Sequence, residues 1–263
     1  ALLTLLMTFY NRIDTVMIGK LLPKDIGNVQ SGIYAHAYRI LEATNQISFL
    51  FAVLLLPLFS HLIKAKESLN NIIRVSFSLL FVATSILAIC TFFYSSEIMQ
   101  LLYTEHIEES SLVYSVIIFG VIAMGTSYIF GTLLTANGSL KELNIIAAIS
   151  LVISLTLNII LVPKFYALGS AFANLSALSF STFAQLYVVK RKFNFKIDSK
   201  FSIKIIGFII FTVIISYAST FLIAFDWMIK LVFISVLSLS IAVLMRLLNI
   251  KEFVQIIKND QLK

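Results

Sequence analysis

The chain has 263 residues, of which 59% are hydrophobic and 13% charged, and its mean hydropathy is +0.97. Water-soluble domains are about a quarter charged and close to half apolar, and here the apolar excess is gathered into long blocks. This excludes a globular enzyme with a soluble catalytic core, and it excludes a nucleic-acid-binding domain despite the net charge of +7. A helix needs roughly 20 apolar residues to cross the ~30 Å hydrocarbon layer, and eight such blocks take up most of the chain. The composition predicts an all-α polytopic membrane protein.

In chain order the predicted spans are 1–19, 33–59, 72–94, 112–136, 143–162, 166–189, 203–225 and 227–248. Turn chemistry separates several of them: Leu22-Pro23-Lys24-Asp25, Asn137-Gly138-Ser139 and Val162-Pro163-Lys164. Pro57 falls in the last turns of the second span and predicts a bend there. Gly169, Ala173, Ala177 and Ser181 recur every fourth residue, a stripe that lets two helices approach closely. Asn144, Asn158, Asn174 and Gln185 suit bonding between helices, or the lining of a cavity. The last two spans, joined tightly around Asp226, predict an antiparallel hairpin. Cys90 is the single cysteine and lies in an apolar run, and the three histidines are scattered, so no metal site is expected. Phosphate-binding glycine loops, nucleophile elbows and His-Glu-x-x-His motifs are missing from the sequence. Binding and conformational change therefore fit better than covalent chemistry, and no cofactor is expected.

Cytoplasmic connectors retain lysine and arginine. With Ala1 on the cytoplasmic side, fourteen of the twenty basic residues fall on inner connectors, four on outer ones and two inside spans. Glu97, Glu105, Glu108 and Glu109 then fall outside, near the interfacial aromatics Tyr94 and Tyr103. The split predicts that both ends of this segment are cytoplasmic, with 190–204 a basic anchor beside anionic lipid.

Charged side chains inside a span cost several kcal/mol unless they are paired or face a wet cavity. Four stand out: Arg12 and Asp14 in the first span, Arg39 and Glu42 in the second. At about 100° per residue, His36, Arg39, Glu42 and Gln46 form one polar stripe, while Asn11 shares a face of the first span with Thr4, Thr8 and Thr15. Arg12 and Asp14 point apart, so their partners should come from another helix, where Arg39 and Glu42 are the available opposite charges. Two arrangements satisfy this: a polar cavity in the outer half of the membrane, or interhelical salt bridges that only fix packing.

Tyr10-Asn11-Arg12-Ile13-Asp14-Thr15-Val16-Met17-Ile18-Gly19, then Gly32-Ile33-Tyr34-Ala35-His36-Ala37-Tyr38-Arg39-Ile40 and Leu56-Pro57-Leu58-Phe59-Ser60, resemble the MOP exporter superfamily. Within it they are most similar to the polysaccharide-transporter branch, the O-antigen flippases of the Wzx type. Leu134-Thr135-Ala136-Asn137-Gly138, Leu155-Thr156-Leu157-Asn158 with Pro163, and Ala167-Leu168-Gly169-Ser170-Ala171 extend the likeness through most of 1–190. The resemblance implies one six-helix lobe of a MOP/MATE-like fold over 1–190 and a basic linker over 191–202. Two additional helices over 203–248 and a cytoplasmic tail over 249–263 would follow. Because the chain opens at Ala1 inside an apolar run, the N-terminal lobe is expected upstream.

The implied activity is transfer of an undecaprenyl-pyrophosphate-linked oligosaccharide across the cytoplasmic (inner) membrane for lipopolysaccharide or other surface polysaccharide. No enzyme activity is expected. Arg12 and Arg39, with Asn11 and Gln46, would bind substrate; Asp14 and Glu42 would couple transport to an ion or proton. The implied partners are the lipid-linked oligosaccharide, the bilayer, the other lobe and a polysaccharide polymerase, with no nucleic acid. A multidrug or cation antiporter of the same superfamily, or a non-transporting membrane subunit, is the competing expectation.

The charge split gives the first prediction. In a background lacking Cys90, an impermeant thiol reagent should reach Glu108→Cys from outside and Lys196→Cys only from the cytoplasmic side. Labelling from the opposite sides would invert the topology.

Overall fold

The computed structural model describes residues 13–195, 198–222 and 225–248. Among them every regular element is an α-helix. A helix over 13–21 (α1) is followed by α2 (Lys24–Lys64), α3 (Asn70–Phe92), α4 (Ser95–Leu102), α5 (Ile107–Ile117) and α6 (Gly120–Ala136). Then come α7 (Leu140–Phe193), α8 (Ser199–Leu222) and α9 (Trp227–Leu244). Six stretches among the described residues are long and apolar enough to span a membrane, with α5 and α6 together forming one of them. The polytopic, all-helical class read from the composition is borne out.

Helix limits run past the apolar blocks because hydrogen bonding, unlike hydropathy, continues into polar sequence. The clearest case is α2, whose 41 residues make about 60 Å of helix, roughly twice the hydrocarbon thickness. Asp25 in its first turn and Lys64 in its last complement the helix dipole. Pro57 sits within α2 without ending it. One element, α4, was not anticipated: a short helix between α3 and α5 that buries Met99.

The 54 residues of α7 are two helices, matching the predicted spans 143–162 and 166–189. Pro163 removes a backbone donor, and three residues later Tyr166 adopts φ 53° and ψ −134°, a conformation that costs an L-residue on the order of 1–3 kcal/mol. The arms fold back on each other so that their far ends meet, where Lys192 pairs with Glu142 and donates to the Ser139 hydroxyl at 2.8 Å. Near the break they nearly touch. A Cβ on Gly169 would lie 2.5 Å from the Leu161 carbonyl oxygen, so the small-residue stripe is used for close approach, as expected.

Among the described residues packing builds three apolar clusters. Ile33, Tyr34 and Leu41 of α2 meet Met99, Tyr114, Val121 and Ala171 in one; Phe59, Ile73, Phe130 and Leu143 fill a second toward the other end. In the third, Val82 and Ile86 of α3 receive Phe208 of α8 and Ile234 of α9. The α8–α9 hairpin is present, with Asp226 capping α9 by accepting from the Met228 amide at 2.9 Å. It is pinned to α3 by the Tyr94–Ser219 hydroxyl bond at 2.7 Å and the Cys90–Ser216 contact at 3.8 Å.

Crowding at the α7 break yields a stability prediction. Gly169→Ala should cost about 1–3 kcal/mol, the usual penalty of overpacking. Gly32→Ala, at an exposed helical position with nothing within 4 Å of its Cβ, should be neutral or slightly stabilising. Thermal unfolding in detergent compares the two, and equal melting would remove the close approach as a constraint.

Candidate functional site

Asp14 lies on α1, which ends at Leu21, two residues before Pro23 opens α2. The two helices cross closely, for a Cβ on Gly27 would come within 3.3 Å of the Gly19 Cα. This crossing carries Asp14 into the interior, where it is 1% exposed.

Its carboxylate is held by side chains of α2 and of both arms of α7. Oδ2 accepts from the Tyr34 hydroxyl at 2.8 Å and from Asn174 Nδ2 at 2.7 Å. Oδ1 accepts from Asn158 Nδ2 at 2.9 Å and, more weakly, from the Ser154 hydroxyl at 3.4 Å. Behind them the Ser170 hydroxyl donates to Asn158 Oδ1 at 2.7 Å and fixes which way that amide faces. All four contacts to Asp14 are neutral donors, the set that a carboxylate anion accepts. Hydrogen bonds to a charged group contribute about 1.5–3 kcal/mol each. Burying an acid without a paired cation is costly, and these bonds offset part of that cost.

The remaining sequence candidates are elsewhere. Asn11 and Arg12 lie outside the described residues. Arg39, Glu42 and Gln46 are exposed along one line of α2. An Asp14–Arg39 bridge does not form, whereas Lys192 pairs with Glu142. His36 leaves the stripe, stacking on Tyr103 with centroids 3.8 Å apart and sharing a 3.1 Å hydrogen bond with Ser110. Of the weaker polar signals, Asn158 and Asn174 join Asp14, and Gln185 donates to Ser127 of α6 at 2.8 Å. Interhelical bonding is their use.

Tyr34, Ser154 and Ser170 were not singled out from the sequence. A signal was available: Ser154-x-x-x-Asn158 and Ser170-x-x-x-Asn174 are two copies of one spacing, flanking the Pro163–Tyr166 break. Each places a hydroxyl and an amide on one helix face.

The cage predicts an asymmetric mutational response. Asp14→Asn keeps the shape but sets an amide N–H2 against donors, and it should destabilise the fold by about 1–3 kcal/mol. Tyr34→Phe removes one donor of four and should cost less. Thermal melts that rank them in the reverse order would contradict the donor cage.

Residues 1–112 match the family described as Polysaccharide biosynthesis protein. No curated protein matches the chain in sequence. The chain is similar in fold to a solved structure of the lipid II flippase MurJ in an inward closed conformation, with a TM-score of 0.73 and 18% sequence identity. That match covers 90% of this chain and 52% of the other, so the chain spans about half the length of the flippase it resembles. The polysaccharide-biosynthesis side of the resemblance read from the sequence is borne out by the match over 1–112, and the fold is shared with that solved structure over nine-tenths of this chain.

Proposed function

We propose that this chain is one lobe, with an added helical hairpin, of a two-lobe flippase in the cytoplasmic membrane. It moves undecaprenyl-pyrophosphate-linked oligosaccharide to the outer leaflet for surface polysaccharide such as O-antigen. The lobe takes in 1–190 and the hairpin 203–248, with both ends of the segment on the cytoplasmic side. The observation that carries the reading is the exposed line of Arg39, Glu42 and Gln46 on α2, a helix apolar enough to span the membrane. Farther along the same face Leu50, Val53 and Leu54 are 63%, 53% and 64% exposed. A polar half followed by an apolar half suits a substrate with a charged headgroup and a long hydrocarbon tail.

In this mechanism the Arg39 guanidinium, with Arg12, Asn11 and Gln46, grips the pyrophosphate, because its planar fork binds phosphate oxygens bidentately and keeps its charge in a low dielectric. Glu42, one turn along, is the counter-ion that shields Arg39 when substrate is absent. Asp14 exchanges a proton or a cation, and because its cage draws on α2 and both arms of α7, a change in its charge state is felt by all three. The facing lobe completes the cavity, and rocking of the two lobes alternates access. A cation-exporting antiporter would favour net acidic charge on this face, and Arg39 beside Glu42 leaves it neutral.

The test is Arg39. In the complete protein, with export normalised to folded protein, Arg39→Lys should lower polysaccharide export roughly ten- to a hundredfold, the equivalent of about 1.5–3 kcal/mol of a charge-assisted contact. Near-normal export by Arg39→Lys, with Arg39→Ala failing only through lost protein, would reduce Arg39 to packing.

A further inference from the structure

The end of the molecule opposite the α7 break carries a basic cluster that the transport reading leaves unused. Arg74 lies in the first turns of α3 and holds its guanidinium over the Phe201 ring, 4.7 Å from the centroid. Phe201 is buried and packs edge-on against Phe77, with centroids 6.1 Å apart, so the platform under Arg74 is fixed. A cation held on an aromatic face loses little freedom when an anion arrives. Phe201 lies between Lys200 and Lys204 in sequence, so both lysines stand in the first turns of α8, the same turns whose Phe201 carries Arg74. Lys64 and Lys66 close the neighbouring α2–α3 connection. The acids at this end of α3 and α8 are Glu67 and Asp198; Asp198 accepts from the Lys200 amide at 3.1 Å, inside its own turn.

Depth and the adjoining surface complete the picture. Both α3 and α8 are candidate spans starting at Asn70 and Ser199, so their first turns sit at headgroup level. From there an exposed apolar line runs down α8: Ile203, Ile206, Ile210 and Ile214 are 68%, 56%, 54% and 58% exposed, at spacings that keep them on one face. Headgroup-depth cations above a continuous apolar strip match a phosphodiester above an acyl chain.

We propose that the α3–α8 corner is a binding site for an anionic phospholipid, with its phosphate on Arg74, Lys200 and Lys204 and an acyl chain along Ile203–Ile214. The bound lipid tethers the hairpin to the lobe at its headgroup end, where the Tyr94–Ser219 and Cys90–Ser216 contacts do not reach. The site does not depend on what the protein transports.

Native mass spectrometry of the intact protein, titrated with phosphatidylglycerol or phosphatidylcholine, tests it. The wild type should retain phosphatidylglycerol in preference, and Arg74→Gln/Lys200→Gln/Lys204→Gln should lose that retention by roughly tenfold or more, since each basic residue near a membrane surface is worth several-fold. The equally charge-depleted Lys20→Gln/Lys24→Gln/Lys164→Gln protein should retain the lipid like the wild type. If the triple variant does not fold, Lys200→Gln and Lys204→Gln alone should each weaken retention several-fold. Equal retention of the two lipids, or equal loss in both triple variants, would overturn the site.

Discussion

The buried carboxylate of Asp14 is the constraint on which the rest of the lobe depends. Left alone in a bilayer interior it would oppose insertion, and no cation among the described residues pairs with it. What makes it tolerable is four neutral donors arriving from elements far apart in sequence. Neutral donors stabilise a charge without cancelling it. A site held this way suits the exchange of a counter-charge proposed for it, whereas a tight ion pair would leave nothing to exchange.

Meeting those donors dictates the shape of α7. Asn158 and Asn174 are sixteen residues apart in sequence, and on an unbroken helix they would be separated by about 24 Å. They reach one carboxylate only because the chain reverses around Pro163 and Tyr166, with Gly169 against Leu161 allowing the arms to close. Strain at Tyr166 and crowding at Gly169 are thus costs offset by the cage they make possible. At the opposite end Lys192, Glu142 and Ser139 hold the arms together, so the hairpin is fixed at both ends. The exposed face of α2 is the other consequence: Tyr34 is committed to Asp14, which turns Arg39, Glu42 and Gln46 away from the interior.

Much of the fold was legible in the sequence because apolar blocks of spanning length have few alternative uses. The α7 reversal was marked by Val162-Pro163-Lys164, and the terminal hairpin by the short joint at Asp226. The eight-residue α4 was not, since a segment that short leaves too few periods to separate a helix from a turn. At the site, the charges in the first two spans were visible as unusual, but weighing charge against charge led to an expected Asp14–Arg39 pair. The actual partners are amides and hydroxyls, residue types common enough in membrane helices to be unremarkable one by one. Only the fold brings Ser154, Asn158 and Asn174 to one point, and only the repeated serine–asparagine spacing hinted at it.

The central claim is that Asp14 links an ion or proton gradient to movement of the lobe. Flipping of a fluorescent polyprenyl-pyrophosphate glycolipid in proteoliposomes, measured with and without an imposed gradient, tests it most directly. The account predicts that wild-type protein flips faster when the gradient is applied. Asp14→Asn protein that is still folded should flip at one slow rate regardless of the gradient. Gradient-driven acceleration that survives in Asp14→Asn would contradict the claim.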